Sequence, residues 1–316
     1  MGDTYQLHKG SATLSDLKDG KFAINSLVGV DGRIFYVDED STGFQTGSDS
    51  YGGLEPDDSF ATLSKAISAC DDWRGDLIIC KAATQTVTSA VDFNVKGLTV
   101  MSESMGMAPG EKGERFCIYG SHTDGPAATI SAPCRIIGMG FCGSEAAGAS
   151  LEIDGTSGAF DGGNFYHVSG CRFSHWGIAK AYCVLINAGS AGVIEDCMFD
   201  GYMTGYTTAG IGLDDVGSNG VLSVVIRNNR FVNMGSGKYC IAAVDSAMHF
   251  RYSLVDHNYN VGPGKFMNFN SALDSTSSTL ICDNYTGGAT DTGSYNESVS
   301  NIQGDGFQFA NNHYDE

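Results

Sequence analysis

The chain has 316 residues, 43 of them Gly and 5 Pro, 42% hydrophobic and 17% charged, with a formal net charge of −19. That hydrophobic fraction is too high for a disordered chain, and Gly without a three-residue period excludes collagen. The acidity opposes binding to phosphate backbones, so no nucleic-acid partner is expected.

The first residues, Met1 to His8, contain no apolar signal core, and Gln6 stands where myristoylation requires Ser or Thr. No apolar run reaches the length of a membrane span, so assembly in a cytoplasm without membrane insertion is expected. Phe22–Val28 and Arg33–Val37 read as two strands around Gly29-Val-Asp-Gly32, and residues 1–56 form an arm or adaptor outside any repeat. Residues 38–57 are a polar loop whose acids do not match a calcium-loop spacing. A helix over 57–74 follows, capped by Asp57 or Asp58, with Phe60, Leu63, Ile67 and Cys70 on one stripe. Its expected task is to cover the open end of what comes next.

From residue 75 onward the signals are β, with short runs at Leu77–Cys80, Thr86–Thr88, Val91–Val95 and Leu98–Val100. One phrase then recurs: Ile136-Ile-Gly-Met139-Gly-Phe141, Val168-Ser-Gly-Cys171-Arg-Phe173, Ile194-Glu-Asp-Cys197-Met-Phe199 and Ile226-Arg-Asn-Asn229-Arg-Phe231. Looser copies are centred on Asn258, Asn284 and Asn312. Measured at the fourth position the steps are 32, 26, 32, 29, 26 and 28 residues, a solenoid period. An antiparallel sandwich has no need of one phrase at one offset. The expected fold is an all-β, single-stranded parallel β-helix over 75–316, of about nine turns.

Side chains at one repeat position stack on their equivalents about 4.8 Å away. Phe141, Phe173, Phe199 and Phe231 are expected as an interior stack, joined after a register change by Tyr259 and Tyr285. Asn229, Asn258, Asn284 and Asn312 are expected as an amide ladder at a bend. Gly210-Ile-Gly212 and Gly217–Gly220 read as projecting loops. The ten Cys have no CxxC pair and no zinc spacing; Cys171 and Cys197 share a repeat position where a disulfide is possible. No metal is expected. Without a Gly-x-Gly-x-x-Gly before a helix or a Gly-Lys-Ser loop, no nucleotide cofactor is expected either.

Candidate chemistry is sparse. Glycoside hydrolysis needs two carboxyl groups about 5–10 Å apart. Asp196, Asp200, Asp214 and Asp215 are the candidates, with Glu195, Asp245, Asp256 and Asp283 nearby in the repeat, but no two acids share an offset in adjacent turns. His167, His175, His249 and His257 are scattered, and His175 beside Trp176 is a weak sugar-patch signal.

Lys21-Phe-Ala-Ile-Asn-Ser-Leu27, Gly32-Arg-Ile-Phe-Tyr-Val37, Gly53-Leu-Glu-Pro-Asp57-Asp-Ser-Phe60-Ala-Thr-Leu63 and Arg74-Gly-Asp76-Leu-Ile-Ile resemble tailed-bacteriophage structural proteins with a right-handed parallel β-helix. The likeness covers residues 20–90 by motif and the remainder by repeat style. It implies a homotrimer on the virion surface. Many such proteins are tailspikes that bind or cut surface polysaccharide; others decorate the capsid. A short chain, the lack of matched acids and an end on Asn311-Asn-His-Tyr-Asp-Glu316 favour a non-enzymatic decoration protein. Phe22, Ile24, Leu27, Val28, Ile34 and Tyr36 would then grip the major capsid protein. The alternative is a tailspike that binds host surface glycan or depolymerises it.

Overall fold

The structure is a computed structural model that describes residues 31–39, 47–104, 115–122, 125–143, 149–156, 162–175, 180–201, 206–214, 220–235, 237–244, 249–268, 278–287, 299–300, 307–310 and 312–314. The chain winds as a right-handed parallel β-solenoid with three long sheets, here sheets A, B and C, of ten, nine and eight strands. Each turn visits A, then B, then C. One such turn is His167–Ser169, Arg172–His175 and Lys180–Asn187. The pairing within each sheet is parallel and joins successive turns.

The sheet A strands are short, and one β-branched residue in each of eight successive strands points fully inward. Ile78, Val100, Ile136, Val168, Ile194, Ile226, Val255 and Ile281 are in register and completely buried. In sheet B, Phe141, Phe173, Phe199 and Phe231 stack with ring centroids 5.3, 4.9 and 4.7 Å apart. Each such pair contributes about 0.5–1.5 kcal/mol beyond area burial.

Tyr259 and Tyr285 do not join this stack. The positions in register with Phe231 are Asn260 and Thr286, both buried, whereas Tyr259 is 45% exposed and packs on Tyr285 outside the coil at 4.2 Å. The aromatic falls one place early, and in a period-two strand one place reverses the face. Asn260 is tolerated inside because its Nδ2 donates to the Gly264 carbonyl at 2.7 Å.

From Gly138 to Asp283 the corner between sheets A and B follows one plan. A residue with positive φ comes first: Gly138, Gly170, Asp196, Asn228, His257 and Asp283, at 53–67°. Gly, Asn, Asp and His are the residues that enter this region at least cost. The next residue carries the amide ladder. Asn258 Nδ2 donates to the Ile226 carbonyl at 2.9 Å and to Asn284 Oδ1 at 3.0 Å, and Asn258 Oδ1 accepts from Asn229 N and Nδ2. Asn284 and Asn312 repeat the pattern. In earlier turns Cys takes the position: the Cys197 thiol donates to Val168 O and the Cys171 thiol to Ile136 O, each at 3.7 Å. All ten Cys are free thiols.

The helix, α1, is Leu63–Ser68 rather than 57–74, and Thr62 caps it, accepting from Lys65 N. Asp58 instead accepts from Gly52 N, and Asp49 accepts from Ala61 and Thr62 N. Leu63, Ala66 and Ile67 are buried against the first strands of sheets A and C. Sheet A also begins earlier than expected, at Ile34–Val37, whose free edge is bonded by Gly53 and Phe60. Beyond that first strand, the described residues of sheets A, B and C hold nine, nine and eight strands. Gly210-Ile-Gly212 is not a loop but part of the sheet C strand Tyr206–Asp214. A Cβ on Gly210 would come within 2.9 Å of the Phe231 ring. Gly217–Asn219 lie outside the described residues.

Replacing Asn258 by Ala strands the Ile226 carbonyl and the Asn229 amide inside the coil. We expect a loss of roughly 2–4 kcal/mol in urea unfolding, since each buried unsatisfied group costs about 1–3 kcal/mol. A change within 0.5 kcal/mol, roughly the scatter at ordinary surface sites, would mean that the ladder does not hold the corner.

Candidate functional site

Three successive strands of sheet C end in polar residues: Ala149–Asp154, Lys180–Asn187 and Tyr206–Asp214. Leu151 and Ile153, Val184 and Ile186, and Ile211 and Leu213 point inward and are fully buried. Alternation then sends Glu152 and Asp154, Leu185 and Asn187, and Gly212 and Asp214 outward. The register aligns Glu152, Leu185 and Gly212 in one row and Asp154, Asn187 and Asp214 in the next. The outer row is thus carboxylate, amide, carboxylate. Two ladder steps place the acids roughly 9.6 Å apart.

Neutral groups hold these side chains. Asn187 Nδ2 donates to Glu152 Oε1 at 3.2 Å, and Asp154 Oδ1 accepts from Thr156 N at 3.0 Å and Thr156 Oγ1 at 2.6 Å. Asn187 Oδ1 is shielded from solvent and has no hydrogen-bond partner. Tyr182 lies over Gly212, where a Cβ would meet its ring at 2.6 Å, so the glycine makes room for the phenol. Burial raises the Tyr182 pKa; a hydrogen bond with Thr208 opposes this, and the Asp214 charge adds to it.

The chain then turns toward sheet A through a second corner of positive φ: Phe165, Ala191, Ser223 and Tyr252, at 54–56°. Their amides bond from turn to turn, Phe165 N to Ser190 O and Ser223 N to Arg251 O, each at 2.9 Å. This conformation costs a non-glycine residue about 1–2 kcal/mol. Here it holds Phe165 and Tyr252 at 51% and 62% exposure. Phe165 adjoins the acid row, because Gly163 N donates to the Asp154 carbonyl and Asn164 Oδ1 accepts from Ser190 N at 2.8 Å. The face therefore offers two separated carboxylates, a phenol and an aromatic rim.

The sequence candidates are dispersed. Asp196 occupies the left-handed position at the A–B corner, and Asp200 lies on sheet B, bonded to Arg172 and Asn233 at 3.1 Å each. Asp214 is on sheet C, and Asp215 lies outside the described residues. Asp154 and Asp214 stand two turns apart in one row, with Asn187 on the turn between them. Glu195 belongs to a network on sheet A: it accepts from His167 at 2.7 Å and from Arg227 at 2.8 Å. Burial acts to raise the Glu195 pKa, but those two partners outweigh it and hold it below the usual range. His257 pairs with Asp256 at 2.9 Å, and His249 O accepts from Val221 N. The side chains of His175 and Trp176 lie outside the described residues, as do Phe22, Ile24, Leu27 and Val28. Ile34 pairs with Leu77 in the first turn, and Tyr36 lines a cavity of about 270 Å³ beside Asp38, Lys81 and Glu103. Among the described residues no three His, Cys, Asp or Glu side chains gather to hold a metal, and no helix is long and apolar enough to cross a membrane.

No protein-family model matches the chain, and no curated protein matches it in sequence. Solved structures do. An alginate lyase from Paenibacillus sp. str. FPU-7 superposes with a TM-score of 0.54 at 13% identity, covering 80% of this chain and 83% of that one. The deglycosylated pectin methylesterase from Aspergillus niger superposes with a TM-score of 0.55 at 12% identity, covering 89% and 84%. ORF18 of Geobacillus virus E2 reaches a TM-score of 0.31 at 11% identity over 95% of this chain and 62% of that one, too low to carry an argument. At these identities the likeness is one of fold: the chain shares the parallel β-solenoid on which those two carbohydrate-active enzymes are built.

Proposed function

We propose that the protein acts on polysaccharide, with the outer face of sheet C as its site. The observation that carries this reading is the Asp154–Asn187–Asp214 row. Inverting glycosidases hold their two carboxyl groups about 6.5–9.5 Å apart, leaving room for a water, whereas retaining enzymes need about 5–5.5 Å. A Cα separation of roughly 9.6 Å leaves room for a water between the two carboxyl groups, which suits inversion. One acid protonates the leaving oxygen while the other draws a proton from water on the opposite side of the sugar. Tyr182, kept as a neutral phenol by burial and by Asp214, supplies a donor. Phe165 offers a ring edge for the apolar faces of the sugar.

The same charges limit the substrate. A polyuronate would be repelled by Glu152, Asp154 and Asp214 on a chain of net charge −19, so the substrate is a neutral glycan. The resemblance of residues 20–90 to phage β-helix proteins supports placing the activity on a virion, as a tailspike against host surface polysaccharide. The capsid-decoration reading depends on an arm of which residues 1–30 lie outside the described part, and no described feature favours it over glycan cleavage.

Release of reducing ends from neutral bacterial surface polysaccharides, with the new anomer followed by NMR, tests the reading. Asp154→Asn and Asp214→Asn should each lower the rate by about 10²–10⁴, and the first product should be inverted. Retention of configuration, or undiminished turnover in both variants, rules out the assigned pair. A separate titration addresses the phenol. Because the Asp214 charge helps to raise Tyr182, Asp214→Asn should lower the pH at which this tyrosine ionises, as read by ultraviolet absorbance against a Tyr182→Phe control. An unchanged or higher midpoint would show that Asp214 does not act on the phenol.

A further inference from the structure

Sheet B carries a different cluster on its outer face. Cys117 and Cys142 lie on neighbouring strands, sulfur to sulfur 3.7 Å apart, and Ser174 Oγ on the next strand is 3.0 Å from the Cys142 sulfur. Cys117 is opposite Gly140, and Cys142 is opposite Tyr119 and Ser174. Gly140 creates the nook: a Cβ there would meet Cys117 Cβ and Sγ at 3.2 Å and Arg115 Cδ at 3.4 Å. Cys117 is half-buried and Cys142 is 6% exposed.

Two thiols this close admit either a disulfide or a bridging ion, and the backbone decides between them. One ladder step across and two residues along separate the Cα atoms by roughly 8 Å. A disulfide requires about 4.4–6.8 Å, so the bond cannot close without moving a strand locked on both sides. An ion asks for less. Two metal–thiolate bonds of about 2.3 Å set in line span about 4.6 Å, so the sulfurs need to open by about 0.9 Å, within reach of a rotation of the half-buried Cys117 side chain. Among the described residues no third His, Cys, Asp or Glu joins the cluster, so its described donors number two, short of the four-ligand shells of structural zinc and iron–sulfur centres. A pair of soft thiolates selects a soft ion that accepts two ligands, as Cu(I) does. The charge also balances. A monocation between two thiolates leaves one negative charge, and the Arg172 and Arg115 guanidinium groups both act on this pair.

We propose that Cys117 and Cys142 form a two-thiolate site for a soft monovalent cation, Cu(I). Binding forms two Cu–S bonds and releases the two thiol protons, with no change in oxidation state. The hydrogen bond from Cys117 eases the loss of the first proton, pulling the Cys142 thiol down against its burial, with help from Ser174 and Arg172.

The test is an anaerobic titration of the reduced full-length protein with Cu(I) in competition with a coloured Cu(I) chelator. One equivalent should be withdrawn, and X-ray absorption should show two sulfur neighbours. Cys117→Ser and Cys142→Ser should each weaken uptake by more than about 100-fold, since even groups that only support a metal ligand contribute 10–100-fold. A Cys171→Ala/Cys197→Ala variant should bind as the native protein does. The proposal is overturned if the native protein withdraws no Cu(I), or if Cys142→Ser with a native circular dichroism spectrum binds undiminished. It is also overturned if Cys117 and Cys142 join in air as a disulfide that blocks their alkylation. Should Cys142→Ser not fold, Cys117→Ser at the more open position decides the question in the same way.

Discussion

The structure depends on the corner between sheets A and B. A left-handed residue reverses the chain within two residues, and the next side chain satisfies the backbone groups that the bend leaves open. Because the corner has constant length from Gly138 to Asp283, each of those turns enters sheet B in the same phase. The Ile and Val column of sheet A and the Phe column of sheet B are consequences of that phase. A buried amide ladder is stable only when every member is satisfied. Asn229, Asn258 and Asn284 meet that condition through paired donors to a carbonyl and to the next amide. Cys171 and Cys197 meet it with less, since a thiol has one weak donor, and these turns rely on Gly170 and Asp196 to set the bend.

The same constancy explains what was legible in the sequence. The parallel coil, the Asn ladder and the Phe column follow from a phrase that straddles the invariant corner. Tyr259 and Tyr285 break the phrase by one place, and a strand converts one place into the opposite face. The acid row was illegible for another reason. Asp154, Asn187 and Asp214 stand 17, 10 and 15 residues ahead of Cys171, Cys197 and Asn229. The connection from sheet C to sheet A varies in length, so residues aligned in space have no common offset in sequence. Gly210 and Gly212 misled in the same way. Glycine in a strand marks close approach as often as a turn, and here the Phe231 and Tyr182 rings occupy the space.

Charge compensation separates the structural acids from the candidate ones. Glu195 is held by Arg227 and His167, and Asp200 by Arg172, so their charge is spent within the coil surface. Glu152 and Asp154 are held instead by an amide and a hydroxyl, which fix their position and leave their charge in place. Residue type is alike in the two groups; a cationic partner on one side and a neutral one on the other set them apart.

A coil of this kind also quantises the distances available to its chemistry. Side chains at equal depth on neighbouring turns can be separated only by whole ladder steps of about 4.8 Å. One step approximates the spacing of a nucleophile and an acid, and two steps approximate the spacing of a base, a water and an acid. Asp154 and Asp214 fall on the second value because Asn187 takes the rung between them. An acid at that rung would set like charges one step from each neighbour and force one of them to hold its proton. An amide avoids the repulsion and donates to Glu152. The register that builds the core therefore also fixes which carboxylate spacing this face can offer.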